Sequence, residues 1–338
     1  MKLIRKLLSS ITATACCVSF MCGGSALLTV GADTYGEFSY SYIDEDGDKK
    51  FDYLEIDYVV YNESYESTVS VDIPAEYDGL PVKSIANGAF WNCTRIASMT
   101  IPNSVTSIGY SAFEGCTSLK SITIPDSVTS IGYNAFSNTA LVNSQTGIKY
   151  VSNWVADCDE NITSAEIKKG IKGIVGKTFY NCKSLRSITL PSSITSIGTY
   201  AFTNCPSLES VTILNPKCKI DMSDVTICNG YDENGNPYYK GTIYGYADST
   251  AKTYADTHKY KFLAKNEYGI LSDADGDGNV SAKDASLIFS EFKKVYGGGS
   301  GVFTGEQIKR CDLNGDGKIT AIDASKAFSI YKENYRRG

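Results

Sequence analysis

SITIPDSVTSIGYNAF, running from Ser121 to Phe136, is the stretch on which the fold turns. Ile122 and Ile124 alternate with Ser121 and Thr123, as on a strand that buries one face and wets the other. Pro125 ends that strand, because it has no N–H to give to a ladder. Val128 and Ile131 mark a second short extended segment, and Ala135-Phe136 fill the interior on the return. A unit this short cannot close a core around itself. It has to be covered by copies of itself on either side.

The copies are present, at a period of 23. Phe90, Phe113 and Phe136 are so spaced, as are Ile101 with Ile124 and Ile108 with Ile131. The frame returns in Ile174 and Ile197, and in Phe179 and Phe202. A fixed period of this size means stacked supersecondary units. Between Leu141 and Lys172 the frame slips, since Phe136 and Phe179 are 43 apart rather than 46. A bend or bulge is expected there, near Trp154. The outward rows are small and neutral: Ser98, Ser121, Ser187 and Ser210, with Thr100, Thr123, Thr189 and Thr212. Tyr110 and Tyr133 follow each Ile-Gly and are expected to face solvent, where rings can stack on sugars.

An array needs caps. FDYLEIDYVVY alternates and reads as part of a β cap over 33–79. GTIYGYADSTAKTYADTHKYKFLA reads as strand, helix, strand, with Ser249 as helix cap, and closes the array within 217–265. In the first cap, Asp44, Asp46, Asp48, Asp52 and Glu55 have calcium-loop offsets, but Lys49 replaces the turn glycine. A polar hairpin turn is the preferred reading there, with a weak cation site as the alternative.

The chain has 11 Cys and 1 His. Cys93, Cys116, Cys182 and Cys205 share one repeat position, so their side chains point the same way. A buried ladder of free thiols fits this better than disulfides. With no CxxC pair and only His258, a zinc site has little support. A formal net charge of −6 provides no basic excess for nucleic acid.

Lys2, Arg5 and Lys6 precede an apolar run from Leu7 to Val30, and small residues lead to Asp33. This reads as a signal peptide over 1–32, with an uncleaved membrane anchor as the alternative. After cleavage the protein is expected to be secreted and free of the membrane.

The last part of the chain is different. DADGDGNVSAKD places Asp273, Asp275, Asp277, Asn279, Ser281 and Asp284 at positions 1, 3, 5, 7, 9 and 12 of a calcium loop. Gly278 makes its turn. DLNGDGKITAID repeats this with Asp312, Asn314, Asp316, Lys318, Thr320 and Asp323, and Gly317 at the turn. Hard oxygen ligands at these offsets suit two Ca²⁺ ions. Asp273–Tyr296 and Asp312–Tyr335 share 12 of 24 positions, so they are halves of one duplicated unit. Each loop runs straight into a helix pattern. Thr304 to Gln307 opens a further helix with a capping box.

Two resemblances follow from these motifs. IPxSVTSIGxxAFxxCxSLxSIxIP is similar to the unit of BspA-like leucine-rich repeats, found in secreted and surface proteins, and covers about 80–216. The paired loops over 266–338 resemble a type I dockerin. Together they imply a mainly β solenoid with β-rich caps, followed by a small α-helical dockerin domain. The dockerin resemblance implies a calcium-folded module that binds a cohesin domain of a scaffolding protein, in a cell-surface cellulosome. Family recognition positions fall on Ala282, Lys283, Phe289, Ser290 and Lys294, and on Ala321, Ile322, Phe328, Ser329 and Glu333. Phe289 and Phe328 have a core reading as well. A duplicated surface suits two docking orientations. Lys283 against Ile322, and Lys294 against Glu333, break that symmetry and favour one.

For the repeats, three functions remain. The first is a binding or adhesion module for polysaccharide, cell surface or protein, with Tyr110 and Tyr133 as ligand residues. The second is a structural spacer or protein-interaction subunit. An enzyme is the least supported, since a glycosidase needs a carboxylate pair in a cleft and none is evident.

Overall fold

The computed structural model describes residues 26–29, 37–47, 50–60, 68–266, 269–276 and 280–337. Residues 69–264 form a β solenoid of about nine turns. Each turn gives one short strand to each of two parallel ladders. On one side Ser98, Met99 and Thr100 pair with Ser121, Ile122 and Thr123. On the other, Ser107 and Ile108 pair with Ser130 and Ile131. The burial follows the sequence alternation, with Ile122 and Ile124 buried and Ser121 and Thr123 exposed.

The interior is built from columns. Phe90 stacks on Phe113 at 5.2 Å and 15°, and Phe113 on Phe136 at 5.6 Å and 6°. Phe179 on Phe202 repeats the pair at 5.0 Å and 3°. The parallel register sets this spacing, since equivalent side chains sit one strand apart.

The break expected near Trp154 is there. The first ladder of the second type stops at Ser130–Ile131. A four-residue helix, α1 (Ala140–Asn143), follows. A hairpin then pairs Ile148–Val151 with Trp154–Cys158, with its register shifted between Lys149 and Tyr150. Trp154 is fully buried, and a Cβ on Gly173 would lie 2.2 Å from its ring. Glycine is therefore the residue that fits there. The hydrophobic core divides at this seam into a block from Phe38 to Trp154, which Val175 joins across the seam, and another from Val155 to Phe262.

Both caps form. Strands Glu37–Ile43 and Tyr53–Val60 bury Phe38, Tyr40, Leu54 and Ile56 against the first turn. Ala26–Thr29 adds one more antiparallel strand, which cleavage before Asp33 would remove. The rest of the expected signal segment lies outside the described residues. At the other end, Thr242–Gly245, helix α2 (Thr250–His258) and Lys261–Asn266 close the array. The Ser249 side chain accepts from the Lys252 N–H as the helix cap.

By its sequence, Ala264 to Ile270 reads as a short linker that permits some independent motion, but its described residues are tied to the cap. Gly269–Ile270 pairs antiparallel with Lys265–Asn266, and the Leu271 N–H donates to Ala264 O at 2.7 Å. Beyond it lie α3 (Ala282–Tyr296), α4 (Gly305–Cys311) and α5 (Ala321–Arg337) around a small core of Ala274, Ile288, Cys311, Ile319, Ala324 and Ala327.

Candidate functional site

In the first loop, carboxylate oxygens of Asp273, Asp275 and Asp284 lie within 4.8 Å of one another. Asp273 and Asp284 are buried, and Asp275 is partly so. Three anionic groups gathered out of water demand compensation. Some comes from the backbone: Asp284 Oδ1 accepts from the Ala274 and Asp275 N–H groups at 2.9 and 3.2 Å. Its Oδ2 accepts from the Ser281 N–H and hydroxyl, both at 2.8 Å. Asp284 thus ties the start of the loop to the first turn of α3. The remaining hard oxygen set fits a divalent cation such as calcium. Asp277, Gly278 and Asn279 lie outside the described residues.

The second loop is built alike. Asp323 Oδ1 accepts from Leu313 and Asn314, and its Oδ2 from the Thr320 N–H and hydroxyl. Asp312 accepts from the Gly315, Asp316 and Gly317 N–H groups. Gly315 and Gly317 take φ of 78° and 79°, a left-handed region that glycine enters without steric cost. Asn314 Nδ2 donates to Asp316 Oδ2, so position 3 faces position 5. Lys318 and Thr320 follow in the expected places.

The helices after the loops run side by side. A groove of about 430 Å³ between them is lined by matched residues: Ala282 with Ala321, Ala285 with Ala324, Ser286 with Ser325, and Phe289 with Phe328. The two phenylalanines are about half exposed, which removes the core reading for both. Lys293 stands over Phe289 and Lys332 over Phe328, each 4.6 Å from the ring centroid. Ala282, Lys283, Ser290, Lys294, Ala321, Ile322 and Ser329 are exposed as well. The Glu333 side chain lies outside the described residues. Lys283 is not free, because its ammonium pairs with Asp275 at 2.7 Å.

Sequence reasoning missed the bracing of this module. Gln307 Nε2 donates to Ala274 O, and Arg310 Nε to Asp273 O, so α4 holds the first loop. Glu291, buried in α3, accepts from the Val302 and Phe303 N–H groups. The capping box over Thr304–Gln307 was the signal for the first of these. Nothing local marked Glu291.

On the repeats, Tyr110 and Tyr133 line a shallow groove of about 470 Å³ with Asn87, Thr129, Ser196 and Asp221. Their rings stack on each other at 5.2 Å and 6°, so each covers one face of the other. Lys177 Nζ lies 4.8 Å from the Tyr133 ring centroid and 5.9 Å from that of Tyr200. Tyr133 is therefore sandwiched, while Tyr110 keeps 45% of its surface. Lys177 and Tyr200 hold left-handed backbone, where other turns place Gly88, Ser111 and Asn134. That residue choice is unfavourable, and sequence reading overlooked both.

In the N-terminal hairpin, Asp44, Asp46 and Asp52 bring carboxylate oxygens within 4.8 Å. Glu55 is not among them; it accepts from the Ser84 hydroxyl. Asp48 and Lys49 lie outside the described residues. His258 sits in the last turn of α2 beside Tyr254.

The geometry defines a capped repeat solenoid carrying a paired-loop helical module. Known families match both parts. The BspA type leucine-rich repeat region matches residues 83–154 and 149–230, in six copies. The dockerin type I domain matches residues 270–326. The chain carries a BspA-type leucine-rich repeat region followed by a C-terminal type I dockerin domain.

Solved structures are similar to the chain. One is the leucine-rich repeat protein of T. pallidum, 23% identical over 67% of this chain and 94% of that one, with a TM-score of 0.33. A leucine-rich repeat protein from Bacteroides ovatus is 24% identical over 70% of this chain and 58% of that one, with a TM-score of 0.33. A leucine-rich cell surface protein from Faecalibacterium prausnitzii is 17% identical over 72% and 95%, with a TM-score of 0.24. No curated protein matches the chain.

A type I dockerin implies binding of a cohesin domain in an extracellular cellulosome, and typically binds calcium. The domains matched, repeat and dockerin, are non-catalytic. No described helix is long and apolar enough to cross a membrane.

Proposed function

We propose that the protein is a non-catalytic component of a cellulosome, held on a scaffolding protein through the groove between α3 and α5. Two Ca²⁺ ions order the loops that orient these helices. Asp273, Asp275, Asp277, Asn279, Ser281 and Asp284 serve the first, and Asp312, Asn314, Asp316, Lys318, Thr320 and Asp323 the second. The observation that carries this is the matched lining of the groove, with Phe289 and Phe328 exposed on its two sides. Half-exposed aromatic rings lining an apolar groove are the anchors that protein interfaces favour.

The test is capture of the full chain on immobilised type I cohesin, with calcium and with a chelator. Capture that needs calcium, and that falls when Phe289 and Phe328 are both changed to Ala, supports the reading. Capture unaffected by both treatments overturns it.

The repeats act as the binding part of the molecule. Tyr110 and Tyr133 line a groove with Gly, Ser and Thr residues and with Asn87 and Asp221, a surface of rings and polar groups suited to sugar. Fixing this surface to a scaffold raises its local concentration near a polysaccharide. The spacer alternative keeps the docking and drops the ligand.

A further inference from the structure

Eight described cysteines are buried, and one pair among them is distinctive. Cys116 and Cys205 donate their thiols to Phe90 O and Phe179 O, each at 3.0 Å. Those sulfurs have oxygen partners and serve as small apolar residues with a satisfied donor. Cys158 instead faces Cys182, with 3.0 Å between the two sulfurs. Sequence reading did not place Cys158 in the ladder, because it falls in the slipped frame. The structure puts it there, one turn before Cys182.

The position has a mechanical meaning. Cys158 ends the hairpin strand that restarts the array after the break. The strand before it has a shifted register, and the ladder through Ser130–Ile131 does not continue into it. In a solenoid each turn is held by its neighbours, so a broken ladder is the place where the array opens first. A covalent tie from Cys158 to the next turn secures the first turn of the second block.

We infer that Cys158 and Cys182 form a disulfide in the exported protein, tying the first turn of the second block, next to the seam, to the turn that follows it. Two thiols lose two protons and two electrons as the Sγ–Sγ bond forms. The electrons reduce a small-molecule disulfide to two thiols, by exchange through a mixed disulfide. The bond forms while the chain is still folding. In the folded protein Cys182 is fully buried and Cys158 is 7% exposed. There the facing Cys182 thiol and burial push the Cys158 thiol far above its ordinary range, which suppresses the thiolate that exchange requires.

The full chain, reduced and unfolded, is refolded in a buffer containing oxidised glutathione. It is then acid-quenched, unfolded again, alkylated and digested. The expected result is a linked peptide pair joining Cys158 to Cys182, with Cys93, Cys116 and Cys205 alkylated. Alkylation of both Cys158 and Cys182, or a link from Cys182 to Cys205, overturns the inference. A second measurement separates a crosslink from a packing role. Reductant is expected to lower the melting temperature of the unmodified chain by about 5 °C. It is expected to leave that of Cys158→Ser unchanged, and an equal drop in both proteins also overturns it.

Discussion

Phe289 and Phe328 face one groove from opposite sides, 46% and 48% exposed, each with a lysine ammonium 4.6 Å from its ring centroid. The match extends from exposure to electrostatics, so the duplication has kept a surface as well as a fold. The surroundings of the two rings are not matched. The flank of α3 is covered by its own module, through Glu291 and the N–H groups of Val302 and Phe303. The flank of α5 borders the repeat cap, where Ser329 and Ile330 share a second groove with Phe262 and Ala264.

Replacing either phenylalanine by Ala is expected to leave the fold intact, since each ring keeps nearly half its surface in water. Loss of an aromatic anchor costs about 2 kcal/mol of binding, roughly 30-fold in affinity. If the repeat cap favours one orientation of the partner, Phe289→Ala and Phe328→Ala will differ. Titration of each variant against one cohesin by calorimetry checks this. Equal losses from both would remove the case for a preferred orientation.

Calcium removal is expected to melt the C-terminal module and spare the solenoid. The carboxylates of Asp273, Asp275 and Asp284 converge at a buried site, and without a cation their repulsion opposes folding. The solenoid holds its own core blocks, built without these loops. Far-ultraviolet circular dichroism with and without chelator should show loss of helix with the strand signal kept. Asp284→Ala should do the same in calcium, because it removes four hydrogen bonds between the first loop and α3.

Much of this was legible in the sequence because the structure is local and repeated. The alternation at Ile122 and Ile124, the stop at Pro125 and the cap at Ser249 each follow from nearby residues. The loops announce themselves by fixed offsets. What stayed hidden depends on contacts between distant residues. Cys158 was unreadable as a ladder member because the frame slips before it. Lys177 was missed because only stacking brings it over Tyr133. The pairing of Gly269–Ile270 with the cap strand was missed because NEYGIL has no strong pattern of its own, so the segment reads as a linker.

Phe113 lies in the middle of the first aromatic column, stacked on Phe90 on one side and Phe136 on the other. Phe113→Ala is expected to cost about 3–5 kcal/mol, from lost burial and from the cavity left between rigid turns. In a one-dimensional stack the damage stays near its origin. Proteolysis of this variant should therefore cut first in the block from Phe38 to Trp154. A first cut in the dockerin, or uniform loosening of the whole array, would contradict the two-block description.

Tyr110 and Tyr133 should separate a binding surface from mere packing. Tyr133 lies between the Tyr110 ring and the Lys177 ammonium, so removing it disturbs the column and lowers stability as well as any binding. Tyr110 ends the pair and is 45% exposed, so Tyr110→Ala should leave the melting temperature within about 2 °C. Against insoluble plant wall polysaccharide, unmodified protein is expected to be depleted from solution and Tyr110→Ala to be depleted at least about 5-fold less. The factor corresponds to about 1 kcal/mol for an aromatic contact. Trp91→Ala, 58% exposed and outside the groove, is the control and should bind as the unmodified chain does. If Trp91→Ala and Tyr110→Ala lose binding equally, the groove is not the site. If the unmodified chain is not depleted at all, the repeats serve a protein partner or a spacing role.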